Sequence, residues 1–136
     1  MPKSILVPVA LDHDSLVPAK LALARRLLDE GGQLTLVTVL ERIPSFTQEF
    51  VTIKSENHLS QRILTHLNSL VADEPNAGCK VVTGKAGMAI SELAEEMECD
   101  LIIVGSHSPG LQDYFLGSTA SRVVRRAPCS VLVVRE

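Results

Sequence analysis

Five short apolar runs, separated by segments with helical periodicity, constrain the fold of this chain more than any other feature. The runs Ser4–Val9 (SILVPV), Leu101–Val104 (LIIV) and Ser130–Val134 (SVLVV) are almost continuous Ile, Leu and Val. This pattern is typical of strands that are covered on both faces, as in parallel sheets. Two further strand candidates are Gln33–Leu40 and Cys79–Thr83.

The first predicted helix follows the first strand and has the sequence VPAKLALARRLLDE. Asp14 or Ser15 can cap its amino end, and the pair Gly31-Gly32 predicts its end. Its apolar stripe is predicted at Ala19, Leu23 and Leu27, flanked by Ala24 and Leu28.

Three more amphipathic segments predict helices at Ser55–Ala72, Gly87–Glu98 and Ser118–Arg126. Their predicted core faces are, in chain order, Ile63, Leu67, Leu70 and Val71; Ile90, Leu93, Ala94 and Met97; and Ala120, Val123, Val124 and Ala127.

Strict alternation of strands and helices predicts a single α/β domain over residues 1–136, with a doubly wound parallel sheet and helices on both faces. Ligands of such sheets bind outside the carboxyl ends of the strands, where the strand order reverses. With the first strand central, that point lies where strands one and four diverge. The loops expected there are Pro8–Asp14, Leu40–Pro44, Thr83–Gly87 and Gly105–Gly117.

Charge and composition exclude several classes of protein. The net charge of −3 argues against a nucleic-acid-binding protein, and no apolar run is long enough for a transmembrane helix. The amino-terminal run contains Pro8, leads directly into acids and has no small-residue cleavage site, so we interpret it as a strand and expect a cytoplasmic protein. Three cysteines without CxxC spacing predict reduced thiols rather than a disulfide or zinc site.

The segment GSHSPGLQDYFLGSTASRVVRRAP, between the last two strands, is the strongest candidate for chemistry. Gly105 marks a strand end where backbone can approach a ligand closely. Gly117, Ser118 and Thr119 open a helix, and free N–H groups at a helix amino terminus bind anions. A plain connection with Ser118 as N-cap explains the same spacing equally well.

Three blocks in order carry a resemblance to a known family: ILVPV, TGKAGMAISELAEEMECDLIIVGSHS, and the carboxyl-terminal stretch from Gly105 onward. Together they resemble the universal stress protein family across essentially the whole chain. The resemblance implies an adenine nucleotide alpha hydrolase-like fold with strand order 3-2-1-4-5, usually dimeric. One subgroup of the family binds ATP and the other does not.

The nucleotide-binding subgroup carries G-x2-G-x9-G-[ST], and the chain departs from it. Gly105, Gly117 and Ser118 match, but Ser108 stands at the second glycine and eight residues, not nine, follow it. Some family members with a GSHxP loop and this shorter spacing bind nucleotides. A second departure is Ala10, which stands where the family usually has a nucleotide-contacting acid; Asp12 is a possible substitute.

By this resemblance the chain binds ATP, ADP or AMP at the carboxyl ends of strands one and four. Main-chain groups of Val9 and Val39 would frame the adenine, and Val104 would line its pocket. The expected site residues are Pro8, Val9, Asp12, Val39, Val104, Gly105, Ser108, Gly117, Ser118 and Thr119.

No carboxylate pair is evident for the Mg²⁺ that can accompany ATP, and no general base is evident for hydrolysis, so any ATP hydrolysis is expected to be slow. We expect a nucleotide-dependent regulatory homodimer that pairs through Ser130–Val134. The alternative, favoured by Ala10 and Ser108, is a dimeric interaction protein that binds no nucleotide. The sequence pattern identifies no particular protein partner.

Other motifs point to weaker hypotheses. TGKAG is similar to the end of a phosphate-binding P-loop, but Ala86 occupies the position of the Ser or Thr that binds magnesium in a P-loop. His107 can donate to a phosphate or simply make local hydrogen bonds, and GSHSPG does not fit a nucleophile elbow. Remaining candidates are scattered histidines without metal spacing, His13, His58 and His66, and a basic helix face, Arg122, Arg125 and Arg126.

Overall fold

Strands and helices alternate along the whole described chain in the computed structural model, which describes residues 2–10, 15–41, 53–106 and 116–135. Their order and bounds are β1 (Ser4–Pro8), α1 (Val17–Leu27), β2 (Gln33–Leu40), α2 (Ile53–Leu70), β3 (Ala77–Thr83), α3 (Ala86–Glu96), β4 (Leu101–Gly105), α4 (Ser118–Arg126) and β5 (Ser130–Val134).

The strands form one parallel sheet in the order β3-β2-β1-β4-β5, which confirms the predicted topology. β1 pairs along its full length with β2, from Ser4 opposite Gln33 to Pro8 opposite Val37. Its pairing with β4 is much shorter. β1 is central and carries no polar residue between Ile5 and Val7, because both of its faces are covered.

The core consists of two layers, one on each face of the sheet. Alternate residues of β1 enter opposite layers: Ile5 and Val7 pack with α1 and α2, and Leu6 packs with α3 and α4. All three side chains are fully buried. This alternation follows from the two-residue period of a strand, and it makes the sheet the shared wall of both layers.

Several element bounds differ from the predictions by a few residues. Val9 lies just past the end of β1, Gly105 belongs to β4, and β3 begins at Ala77 rather than Cys79. α1 ends at Leu27, earlier than predicted, because Leu28 is already extended with φ −65° and ψ 131°. Gly31 then takes φ 78°, the left-handed conformation that glycine adopts without strain.

The amino terminus of α1 was predicted wrongly, and its buried face was predicted in part: Ala24 is buried, and Leu23, Leu27 and Leu28 pack against the core. Leu16 is the N-cap, with no side-chain capping hydrogen bond, and a proline in the first turn starts the helix. Ser15, one of the two proposed caps, therefore does not cap the helix. Asp14, the other proposed cap, lies outside the described residues. Ala19 is exposed, whereas Lys20 and Leu21 are buried. The helix is therefore rotated relative to the predicted stripe, and a charged residue enters the buried face.

The other three helices agree better with the predicted faces. Ile63, Leu67 and Val71 of the α2 segment are buried, as are Ile90 and Leu93 of α3. On α4 the prediction failed at Val124, which is 47% exposed, while Ala120 and Val123 fill the core. No helix in the described part of the chain is both long enough and apolar enough to span a membrane.

α3 and α4 pack closely at Gly87. A Cβ placed there would lie 2.6 Å from Arg122 Cβ, well inside contact distance. The obstructing atom is next to the α4 backbone, so one helix would have to move. Glycine at this position therefore sets the separation of the two helices.

We predict that Gly87→Ala lowers the free energy of unfolding by about 1–3 kcal/mol, because the added methyl overpacks the α3–α4 contact. Urea denaturation measures the change. Gly78→Ala is the matched control, since its Cβ would meet only the flexible Gln33 amide at 3.4 Å. Helix propensity alone would predict the opposite result, because Gly→Ala at an exposed helix position raises the free energy of unfolding. A Gly87→Ala protein as stable as the parent would therefore contradict the predicted overpacking.

Candidate functional site

The strand order predicts a ligand crevice at the carboxyl ends of β1 and β4, and the hydrogen-bonded pairing of these strands ends early there. The two strands pair only at Ile5–Leu101 and Leu6–Ile102. The backbone of Val9 bonds to β2, with its N–H 2.8 Å from the Val37 carbonyl, so by alternation the backbone of Pro8 faces β4. Proline has no N–H to donate to β4, so the hydrogen-bonded ladder stops there.

The Pro8 carbonyl, which points toward β4, accepts a hydrogen bond from the Lys20 ammonium at 2.7 Å. Lys20 is only 3% exposed. Sequence reasoning missed this residue because a lysine in an amphipathic helix is ordinarily expected on the solvent face. The feature that predicts its burial is its position four residues after Leu16, which is buried, because residues four apart share one face of a helix.

β2 extends past the end of β1 and exposes a main-chain edge there. Leu40 accepts a hydrogen bond from Gly84 N–H at 2.9 Å, so its backbone faces β3. The backbone of Val39 must therefore face the β1 side, beyond the last β1–β2 pair at Val37. An N–H and a carbonyl presented side by side in this way can form hydrogen bonds with the polar atoms along the edge of a planar heterocycle.

Val9 offers less free main chain than predicted. Its N–H already donates to Val37, and its carbonyl accepts from the buried Thr38 hydroxyl at 3.0 Å. Only a second lone pair on that carbonyl remains for a ligand. The side chain of Val9 is buried against α1, whereas Val104 packs on the opposite face of the sheet.

Gly105 ends β4 beneath the first turn of α1. Ser106 N–H donates to the Val134 carbonyl at 2.9 Å, so by alternation the backbone of Gly105 faces β1 and the crevice. A Cβ on Gly105 would lie 2.8 Å from Leu16 Cδ1. A side chain at this position would therefore displace the tip of Leu16.

The described ends of the β4–α4 connection are joined by a hydrogen bond from Gly117 N–H to the Ser106 carbonyl at 3.1 Å. Gly117 is the N-cap of α4, with φ −63° and no side-chain capping bond. The alternative in which Ser118 caps the helix is therefore wrong. Ser118 and Thr119 are the first two helical residues and both are exposed, so the amino terminus of α4 presents N–H and hydroxyl groups to solvent.

The amino terminus of α3, formed by TGKAG, is already supplied with an anion. Ala86 N–H donates to the Glu41 carboxylate at 3.3 Å. Gly84 takes φ 150° in the turn, and Gly87 accommodates Arg122. The glycines of this motif therefore have structural roles, and Lys85 is exposed. Neither helix has an acidic residue in its first turn or a side-chain cap of its own; the two differ in that the amino terminus of α3 contacts the Glu41 carboxylate.

Some predicted residues lie outside the described part of the chain: Asp12, Ser108, His13 and His107. Their predicted roles stay predictions. His58 and His66 are exposed on α2, and the three arginines of α4 are exposed as well. Within residues 2–10, 15–41, 53–106 and 116–135, no group of three or more His, Cys, Asp or Glu side chains is arranged to bind a metal ion.

A second depression, with a volume of about 390 Å³, lies between β3 and α3. Its floor is apolar, including Val82 and Leu93, but Glu92, Glu95 and Glu96 line it as well. Three carboxylates repel a phosphorylated ligand. The crevice at the ends of β1 and β4 is therefore the better anion site.

The three cysteines are free thiols, in agreement with the prediction. Burial raises the pKa of Cys79, Cys99 and Cys129. A hydrogen bond from Ser4 partly opposes the rise at Cys99, and the nearby Asp100 charge adds to it. A raised pKa keeps a thiol neutral and unreactive, so none of these residues is suited to act as a nucleophile.

Comparison with known proteins gives a consistent result. The chain matches the universal stress protein family over residues 1–135. It is 30% identical to universal stress protein G of Salmonella typhimurium over 142 aligned positions, covering 99% of this chain and all of that protein. Among solved structures, hypothetical protein MJ0577 superposes with a TM-score of 0.81 at 23% identity, covering 98% of this chain and 96% of that one. A universal stress protein in complex with cAMP superposes with a TM-score of 0.71 at 22% identity, covering 98% and 97%.

We predict that the thiols react slowly with a disulfide reagent such as DTNB at pH 8 in the folded protein, and much faster in urea. Because their folded pKa values are raised, their contribution to stability is complete below the unfolded thiol pKa of about 8.5 and is lost as the pH rises through the folded values. The free energy of unfolding should therefore fall above about pH 8.5. Cys99→Ala should make that fall shallower. Equal reaction rates in folded and unfolded protein at pH 8 would contradict this account.

Proposed function

The chain belongs to the universal stress protein family, and we propose that it binds an adenine nucleotide in the crevice at the carboxyl ends of β1 and β4. The observation that carries this proposal is the early end of the β1–β4 ladder, together with the uncapped amino terminus of α4, which Gly117 N–H ties to Ser106 just after β4. An elongated ligand with an aromatic end and an anionic end suits this arrangement. A structural relative solved with cAMP supports the same class of ligand.

The adenine end is proposed to lie against Val39. Its N–H and carbonyl face the gap beyond β1, and they can pair with an acceptor nitrogen and the amino group of adenine. Val9 contributes the free lone pair of its carbonyl. Val104 is buried beneath the sheet edge and shapes the pocket from the face of α3 and α4.

The phosphate end is proposed to lie at the first turn of α4. Ser118 and Thr119 offer N–H and hydroxyl donors there, at the positive end of the helix dipole. Gly117 must stay small so that the phosphates can approach the backbone. The part of the nucleotide between these two ends is proposed to be held by Pro8, Asp12, Gly105 and Ser108. These four residues are assigned to the site by family resemblance.

The role we propose for the nucleotide is regulatory. No pair of carboxylates faces the crevice from the described residues to hold Mg²⁺, and the one acid described at this edge, Glu41, contacts α3. No described side chain is placed to activate water, so turnover of ATP should be slow. Bound nucleotide would instead set the conformation of the β4–α4 loop, which protein partners in the cytoplasm would recognise.

We further propose that the protein is a homodimer joined through β5. This strand lies at the sheet edge, pairs only with β4 among the described strands, and is half-buried along most of its length. An uncovered apolar edge promotes aggregation, and pairing with its own copy about a two-fold axis would cover it.

To test nucleotide binding, the protein is purified without added nucleotide and denatured, and released small molecules are identified by mass spectrometry. Calorimetric titration with ATP, ADP and AMP then follows. We expect an adenine nucleotide, and we expect Gly117→Val to weaken binding at least about tenfold by blocking the donors of α4. Gly78→Val on the distant strand β3 is the matched control. Unchanged ATP binding by Gly117→Val would place the ligand elsewhere.

The alternative is that the protein acts through interactions without nucleotide. It is favoured if the purified protein is empty and millimolar ATP also fails to raise the melting temperature, because any ligand that binds the folded state stabilises it. Both outcomes together would contradict the proposed function, since a weakly held nucleotide that is lost on purification would still shift the melting temperature.

The dimer is tested with Val133→Pro. The Val134 carbonyl bonds to β4, so by alternation the N–H of Val133 points away from the sheet. Proline there removes only an outward donor. Sedimentation equilibrium should give twice the chain mass for the parent and a monomer for the variant, and Val131→Thr serves as a control that keeps the donor. A monomeric parent would contradict the proposed dimer.

A further inference from the structure

The backbone ladder between β1 and β2 ends one hydrogen bond early at Val9. In a parallel ladder, a residue donates its N–H to one residue of the neighbouring strand and accepts at its carbonyl from the residue two positions further on. Val9 N–H donates to the Val37 carbonyl at 2.8 Å, so the expected donor to the Val9 carbonyl is Val39 N–H. That bond is absent among the described residues, where the last β1–β2 pair is Pro8–Val37.

The side chain of Thr38 takes the place of this donor. Its hydroxyl donates to the Val9 carbonyl at 3.0 Å, and Thr38 is only 2% exposed. A buried carbonyl must be paired, and here a side chain rather than the backbone pairs it. Because the Val9 carbonyl is already satisfied, the next ladder bond would gain little. The Val39 N–H, which faces the β1 side, is therefore left without a hydrogen-bond partner in the described part of the chain.

We propose that Thr38 is a positioning residue of the nucleotide site: its hydroxyl occupies the Val9 carbonyl and thereby keeps the Val39 N–H available to the adenine ring. This inference rests on the proposed function. Thr38 acts through Val9 and does not itself bind the ligand. Its hydroxyl determines whether the β1–β2 ladder ends at Pro8–Val37 or continues by one bond, which would consume the N–H that the adenine needs.

A purely structural role for Thr38 makes a different prediction. If the hydroxyl only satisfies the Val9 carbonyl, its removal destabilises the protein, and the Val39 amide exchanges its hydrogen with solvent at the same rate or faster. If the hydroxyl keeps the ladder open, its removal leaves the Val9 carbonyl to the Val39 N–H. Exchange at Val39 then becomes slower although the protein is less stable, so the two roles differ in the sign of the change.

The experiment measures amide hydrogen exchange by NMR in the nucleotide-free protein and the dissociation constant of ATP by calorimetry. Thr38→Val keeps the shape of the side chain without the hydroxyl. We expect it to slow exchange at Val39 and to weaken ATP binding, each about tenfold, as one hydrogen bond gained or lost would do. Thr38→Ser keeps the hydroxyl and should restore most of both values. Thr35→Val is the matched control, because Thr35 is also 2% exposed on β2 but lies within the ladder, opposite Leu6.

Each outcome decides between the roles. Exchange at Val39 that is unchanged or faster in Thr38→Val, or slower exchange with unchanged ATP binding, overturns the inference while the proposed function stands. A parent that binds no nucleotide overturns the proposed function and this inference with it. If Thr38→Val does not fold by circular dichroism, the parent decides. Without nucleotide, its Val39 amide should exchange at least about tenfold faster than that of Val37 within the ladder, and ATP should slow it. A Val39 amide as protected as that of Val37, or one that ATP does not slow, overturns the inference.

Discussion

The site depends on one missing hydrogen-bond donor at the end of the central strand. Pro8 has no N–H, so β1 cannot continue its ladder with β4 beyond Leu6–Ile102. The Pro8 carbonyl, turned toward the gap, bonds to Lys20 instead. Consequently the backbone hydrogen bonding between two neighbouring strands ends before their carboxyl ends, at the place where we propose that the ligand binds.

The fold was largely predictable because it follows from patterns that act locally. Apolar runs such as LIIV can be covered only on both faces, and the alternation with helices then allows few topologies. α4 was placed correctly to the residue. Errors occurred where tertiary packing outweighs periodicity: α1 is rotated, so that Lys20 rather than Ala19 is buried, and Val124 is exposed on α4.

The site was predictable in outline but not in its chemistry. Family resemblance assigned Gly105 and Gly117 to the proposed site, and the strand order assigned that site to the carboxyl ends of β1 and β4. No sequence pattern shows that the N–H of Val9 is already bonded to Val37, that Gly105 accommodates Leu16, or that Glu41 supplies an anion to α3. These are contacts between residues far apart in the chain. They are set by strand register and helix position, which a linear pattern does not specify.

Amide chemical shifts of the protein titrated with ATP test the central claim most directly, because they report on the backbone groups on which the account depends. The account predicts perturbations at the amides of Val39, Gly105, Ser118 and Thr119, with those of Glu92, Glu95 and Glu96 unchanged. Perturbations centred on the acidic depression between β3 and α3, or none at millimolar ATP, would contradict it.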